Sequence, residues 1–227
     1  MKKLDDGVWI ADQSLRVAGI DLGARMTVVR LTDDGLLLHS PIRPTPDLVD
    51  AVRSTGRVSA IVAPNRFHHL FAGQWMEAFP GTPLFVAPGL ESKRADLTIA
   101  GVLSDTPEIL WRDSLEQAAL RGIPLTNEVV FFHRASRTLI ATDLAFHIGP
   151  DHPTPTRLLF RLSGAYGRLA PTFLERFLVR DRATFRAVLE RILQWPFERV
   201  IVAHGDVLET GGREALARGF AWLLDAG

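Results

Sequence analysis

Cysteine is absent from the 227 residues, which excludes disulfides, thiolate nucleophiles and cysteine-ligated zinc together. No apolar run approaches the ~18 residues that a membrane span needs. The early lysines, Lys2 and Lys3, are followed by Leu4-Asp5-Asp6-Gly7 rather than by the apolar core of a secretion signal. An excess of one charge is missing too. Lys and Arg number 26 and so do Asp and Glu, leaving no global field to gather nucleic acid or an anionic membrane. Low-complexity linkers and internal repeats are lacking, so one domain over residues 1–227 is expected. What remains is an ordinary globular composition, 47% hydrophobic and 23% charged, long enough for a large α/β core. The expected setting is the cytoplasm, and the expected partner is a small molecule rather than nucleic acid or membrane.

Strands dominate the first half. Gly7–Ala11, Leu15–Ile20, Met26–Leu31 and Leu36–His39 read as strands, with Asp34-Gly35 marking a hairpin turn. Thr45-Pro46-Asp47 predicts a helix start, with a hydroxyl cap, a proline in the first turn and an acid against the dipole. Val58–Ala63 is an unbroken apolar strand, followed by a helix over about Leu70–Phe79 and a strand at Leu84–Ala87. Glu108–Trp111, Glu116–Arg121, Glu128–Phe132 and Thr138–Thr142 read as further strands. The chain then turns helical at Thr156–Leu162, Pro171–Val179 and Asp181–Trp195, the last with Phe185, Val188, Leu189 and Ile192 at helical spacing. Val200–Ala203 is a final strand, and Arg213–Leu224 a closing helix. Strands interleaved with helices point to an α/β sandwich.

Three strand ends deliver metal-ligand types. Val58–Ala63 leads to His68 and His69, Leu139–Thr142 to Asp143, and Val200–Ala203 to His204. A sheet edge fixes the backbone while its loops stay free to carry function. Imidazole with carboxylate suits zinc, iron or manganese. Adjacent residues rarely point the same way, so one of the two neighbouring histidines is expected as a ligand, His69 ahead of His68. Asp143 at the end of an apolar strand needs a cation, metal or arginine. His204 could instead cap the turn at Gly205-Asp206. Asn65 either donates to a substrate or holds its loop by an Asx turn. His133 falls in a hairpin turn beside Arg134, where it is expected to be exposed or locally hydrogen-bonded rather than a ligand, with a pocket role as the alternative.

The stretches Arg25–Leu31 with Leu36–Pro41, Ala63–His69, Asn127–His133, Ser136–Asp143 and Val200–Gly205 together resemble the metallo-β-lactamase superfamily, within it an uncharacterised branch known as a domain of unknown function. The resemblance spans almost the whole chain. It implies an α/β fold of four layers, an αββα sandwich, with the site at the mouth between the sheets. The superfamily's metal loop reads His-x-His-x-Asp-His. With His69 matched to the last histidine, Pro64 and Arg66 stand at the first two, and His68 replaces the aspartate. Pro124–Asn127 lacks a further histidine expected before the Glu128 strand. The resemblance therefore implies a reduced site: at most one divalent cation on His69, Asp143 and His204 with His68 as a substitute ligand, or none. Asp143 is expected at the reaction centre, with Asn65 and His133 as pocket residues. The implied activity is hydrolysis of a small ester, thioester or phosphoester. The alternative is a non-catalytic binding module.

Overall fold

In the computed structural model, which describes residues 1–225, the chain lays down two sheets in succession. The first part forms β1 (Lys2–Asp5), β2 (Val8–Gln13), β3 (Arg16–Val17), β4 (Ile20–Asp21), β5 (Ala24–Arg30), β6 (Leu36–His39), α1 (Pro46–Thr55), β7 (Val58–Ala63), α2 (Ala72–Ala78), β8 (Leu84–Val86), α3 (Leu90–Lys93) and β9 (Gly101–Val102). Apart from β3 and β4, which pair with each other, these strands make one sheet in the order β1-β2-β5-β6-β7-β8-β9. Its pairs are antiparallel as far as β6 and parallel beyond. The second part gives β10 (Leu115–Ala119), β11 (Val129–His133), β12 (Thr138–Ile140), α4 (Thr154–Leu162), α5 (Phe173–Leu178), α6 (Arg182–Ile192), β13 (Arg199–Ile201), α7 (Gly212–Gly219) and α8 (Ala221–Leu224). Here the sheet order is β10-β11-β12-β13.

Period-two alternation with both faces apolar stacks these sheets face to face and leaves each an outer face for helices. On β7, Ala60 and Val62 join Val29, Phe131 and Ile140 in the core between the sheets, while Ile61 and Ala63 pack with Val52 of α1 and Trp75 of α2. On β11, Val129 and Phe131 face inward, and Val130 and Phe132 meet Phe185 and Leu189 of α6. The result is the expected four-layer αββα sandwich. The helix ends follow from local chemistry. The Thr45 hydroxyl accepts from the Leu48 N–H at α1, and Asp181 accepts from the Thr184 N–H at α6.

Three of the expected elements take another form. Leu15–Ile20 is not one strand, because Ala18 and Gly19 both adopt positive φ (49° and 82°) and turn the chain back on itself as β3 and β4. Glu108–Trp111 is a turn rather than a strand. The N–H groups of Trp111 and Arg112 both reach the Glu108 carbonyl, and of the apolar residues there Trp111 is buried while Ile109 stays exposed. The closing helix breaks at Phe220, whose ring leaves the helix line to pack beside Phe185. No helix among the described residues is long and apolar enough to cross a membrane.

Topology brings the suggestive strand ends to one edge. β12 and β13 are parallel, so Asp143 and His204 leave the second sheet on the same side. β11 runs antiparallel to β12, which puts its beginning, not its end, at that edge. The N–H of Val129 there donates to the Pro64 carbonyl and ties the end of β7 alongside.

Candidate metal centre

The loop after β7 is built on Asn65, whose side chain is fully buried. Its Oδ1 accepts from the backbone N–H groups of Phe67 and His68, both at 2.8 Å, the Asx turn the loop composition suggests. Its amide nitrogen donates to Thr142 Oγ1 at 2.9 Å and to Asp143 Oδ2 at 2.7 Å. One residue thus shapes the histidine loop and locks the carboxylate to it.

Asp143 Oδ1 faces two imidazoles, His68 Nε2 and His204 Nε2, each at 3.3 Å. The three donor atoms all lie within 4.8 Å of one another, and the two rings stand 5.2 Å apart at their centres. The far nitrogens are engaged. His204 Nδ1 donates to the Gly23 carbonyl at 2.8 Å, and His68 Nδ1 meets the Ser40 hydroxyl at 2.8 Å. A carbonyl can only accept, so His204 Nδ1 must carry hydrogen, and in the neutral ring the Nε2 lone pair faces the group. Phe146 stacks on the His204 ring at 5.8 Å. Arg25, buried between the sheets, donates to the Val202 carbonyl and holds the backbone just before His204.

The electrostatics match this geometry. Burial alone would raise the Asp143 carboxyl, but charge on His68 and hydrogen bonds from His204 and His68 hold it well below the usual range. Burial would depress His204, yet its bond to Asp143 and that residue's charge lift it above the ordinary histidine value. Behind Asp143 lies Glu128, fully buried, its two oxygens accepting the backbone N–H groups of Thr142 (2.5 Å) and Asp143 (2.9 Å). Burial first, and then the Asp143 charge, push Glu128 up to about 8.

The two neighbouring histidines part company, and His69 does not join the group. Its Nδ1 and carbonyl are taken by Arg94 at 3.0 and 3.1 Å, and burial, then Lys93 and Arg94, lower it to about 4. The expectation of His69 ahead of His68 is therefore reversed by geometry. His133 is locally hydrogen-bonded as expected, but it is buried rather than exposed and does not line the Asp143 cleft. It ends β11, opposite Thr138, five residues and so about 17 Å along the sheet from Asp143. There it is buried, bonds Ser136 Oγ at 2.7 Å, and lines a different cleft with Arg30 and Ser114. Asp143 meets histidines rather than an arginine. Glu128, Ser40, Phe146 and the Gly23 carbonyl were not singled out from the sequence.

His39, beside Ser40, is fully buried edge-on to Phe131 with Nε2 unpartnered. Burial, then charge on His68, lowers it to about 3. A histidine lowered on folding contributes stability present above its unfolded value of 6.5 and lost as pH falls toward the folded one. Relative to the parent, His39→Leu is expected to gain up to about 1.4 kcal/mol per pH unit on acidification below 6.5. Urea midpoints of both proteins at pH 7.5 and about 5.5 check this, and parallel profiles would refute it.

The donor set could hold a cation once its atoms, now within 4.8 Å of one another, draw together. At metal–ligand lengths of about 2.0–2.2 Å, neighbouring ligands of a tetrahedral site stand about 3.3–3.6 Å apart, and both Nε2–Oδ1 separations have that length. The tie from His204 Nδ1 to a carbonyl is the support a ligating imidazole usually has.

The fold is that of the metallo-β-lactamase class in architecture. The whole chain matches a metallo-beta-lactamase from Pontibacter korlensis at 16% identity and TM-score 0.67, over 98% of that protein. It matches the DIM-1 metallo-beta-lactamase at 13% and 0.69, over 100% of this chain and 97% of that one. A third match is to FIM-1 from Pseudomonas aeruginosa in its mono-zinc form, at 12% and 0.64, over 96% and 92%. At these identities the likeness is one of fold. No curated protein matches the chain in sequence. Within the class, the chain belongs to the family described as a domain of unknown function, DUF4336, which matches residues 5–161.

Proposed function

We propose that this protein is a cytoplasmic single-metal hydrolase of a small ester, thioester or phosphoester, with zinc, iron or manganese held by His68, Asp143 and His204. The observation that carries the reading is the pair of imidazole Nε2 atoms converging at 3.3 Å on one carboxylate oxygen, with His204 Nδ1 committed to a carbonyl. A bound cation supplies Lewis acidity and a lowered water pKa of about 7. The chain's own residues do the rest. Asp143, held ionised, contributes charge rather than a proton, since so acidic a carboxyl is a weak base. Asn65 holds the second Asp143 oxygen by a hydrogen bond, Ser40 and the Gly23 carbonyl orient the rings, and Phe146 stacks on His204.

One observation favours the alternative of a non-catalytic binding module. Asn65, Ser40 and the Gly23 carbonyl, with the ion pairing between Asp143 and its histidines, leave no polar atom of the group needing a cation. Elemental analysis of untagged protein separates the two readings. The hydrolase reading expects about one equivalent of metal after reconstitution with zinc, iron or manganese. His204→Ala should lose it, and His147→Ala, whose ring bonds the Asp206 carbonyl instead, should keep it. Protein that stays metal-free after reconstitution would sink the hydrolase reading and count strongly for the binding module.

A further inference from the structure

The cleft over His68, Asp143 and His204 has a volume of about 630 Å³, within the ~300–1,000 Å³ of small-molecule sites. Its walls are mostly carbon. Ile42 and Phe146 lie buried in it. Around the opening stand Val17, Phe67, Leu70, Leu125 and Leu174, each between 45% and 61% exposed. A lone exposed leucine needs no account, but five large apolar side chains converging on one opening mark a binding surface. They come from β3, the loop after β7, the loop before β11 and α5, so nothing local in the sequence groups them.

Charge on the same lining is one-sided. Arg16 and Lys93 are exposed there. The lining carboxylates are Asp143, at the centre, and Glu175, mostly buried and capping the Thr172 backbone N–H. A neutral protein thus presents an apolar trough whose solvent-facing charges are cationic.

We infer that this cleft takes an anionic amphiphile, its extended apolar chain against the carbon walls and its anionic group at Arg16 or Lys93. Resting on the hydrolase reading for the bond broken, the substrate class is an acyl ester or thioester with a chain of several methylenes and an anionic group. Cleavage adds water across the acyl C–O or C–S bond, hydroxyl to the acyl carbon and proton to the departing alcohol or thiol, with no oxidant or reductant.

Titration calorimetry of the full chain, kept with chelator, with saturated fatty acids from butanoate to dodecanoate tests the inference without turnover or metal. Affinity should rise with chain length, by up to about fourfold per buried methylene. Leu174→Asp, at an exposed position where folding is not at stake, should weaken dodecanoate by about tenfold or more. Arg16→Glu should weaken it too. Leu162→Asp, also exposed but outside the cleft, should leave it unchanged. Affinity independent of chain length, or an equal loss with Leu162→Asp, would overturn the inference. Chain-length-dependent binding in a protein that takes up no metal would uphold the amphiphile site and sink the hydrolase reading. Hydrolysis of short esters with no chain-length trend in binding would do the reverse.

Discussion

Asp143→Asn is expected to weaken metal binding by about 100-fold or more, beyond the ~10–100-fold typical of residues that merely support a ligand. The amide has no orientation that serves the site. With its oxygen toward Asn65, its NH2 confronts the Nε2 atoms of both histidines. With its oxygen toward the histidines, its NH2 meets the Asn65 amide nitrogen that now sits 2.7 Å from Asp143 Oδ2. Metal-free protein should be destabilised as well, by about 3–5 kcal/mol, the cost of stranding one partner of a buried ion pair. The pH dependence of that loss identifies its origin. Asp143 is lowered from 3.8, so its contribution is present above that value and lost in acid. His204 is raised from 6.5, so its contribution is complete below that value and fades as pH rises through the folded one. The destabilisation should therefore be largest between pH 3.8 and 6.5 and smaller at alkaline pH. Denaturant midpoints of chelated parent and variant, with a competitive zinc titration, measure both effects. A variant with parental zinc affinity would remove Asp143 from the centre.

The strands that carry the site were legible because each is an unbroken apolar run with polar punctuation. Leu36–His39 and Val58–Ala63 match β6 and β7 residue for residue, and the proline and cap at Thr45 place α1 correctly. Which of His68 and His69 turns inward was not legible, because it depends on Asn65 gathering two particular N–H groups and on Arg94, distant in sequence, claiming the other ring. That His133 lies away from the Asp143 cleft is legible from the hairpin. Two strands joined by a short turn run antiparallel, so the end of the Val129 strand lies beside the beginning of the Thr138 strand, at the edge away from Asp143. The same argument puts Glu128, at the beginning of β11, at the Asp143 edge, and it could have been found that way. The Gly23 carbonyl and the apolar opening of the cleft are assembled from separate loops, and no periodicity or spacing encodes such convergence.

Gly205→Ala should be strongly destabilising. Gly205 follows His204 directly and sits at φ = 107°, outside even the left-handed region that other residues tolerate at modest cost. A Cβ there would lie 2.2 Å from the His147 carbonyl oxygen and 2.5 Å from its carbon. These are backbone atoms that cannot swing aside. The same carbonyl accepts the Asp206 N–H at 2.7 Å, and His147 and Gly205 form a parallel bridge that fixes the segment after β13. Relief of the clash must either break that bridge or pull His204 off the Gly23 carbonyl. Strain and overpacking together should cost about 4 kcal/mol or more, a large part of the ~5–15 kcal/mol that stabilises a typical domain. Gly81→Ala, also at positive φ but with open space around its Cβ position, should cost only about 1 kcal/mol. Urea midpoints of the two variants give the comparison directly, and whatever Gly205→Ala protein folds should bind zinc more weakly than the Gly81→Ala protein. Equal midpoints would mean that the close approach of β13's exit to His147 does not hold His204 in place.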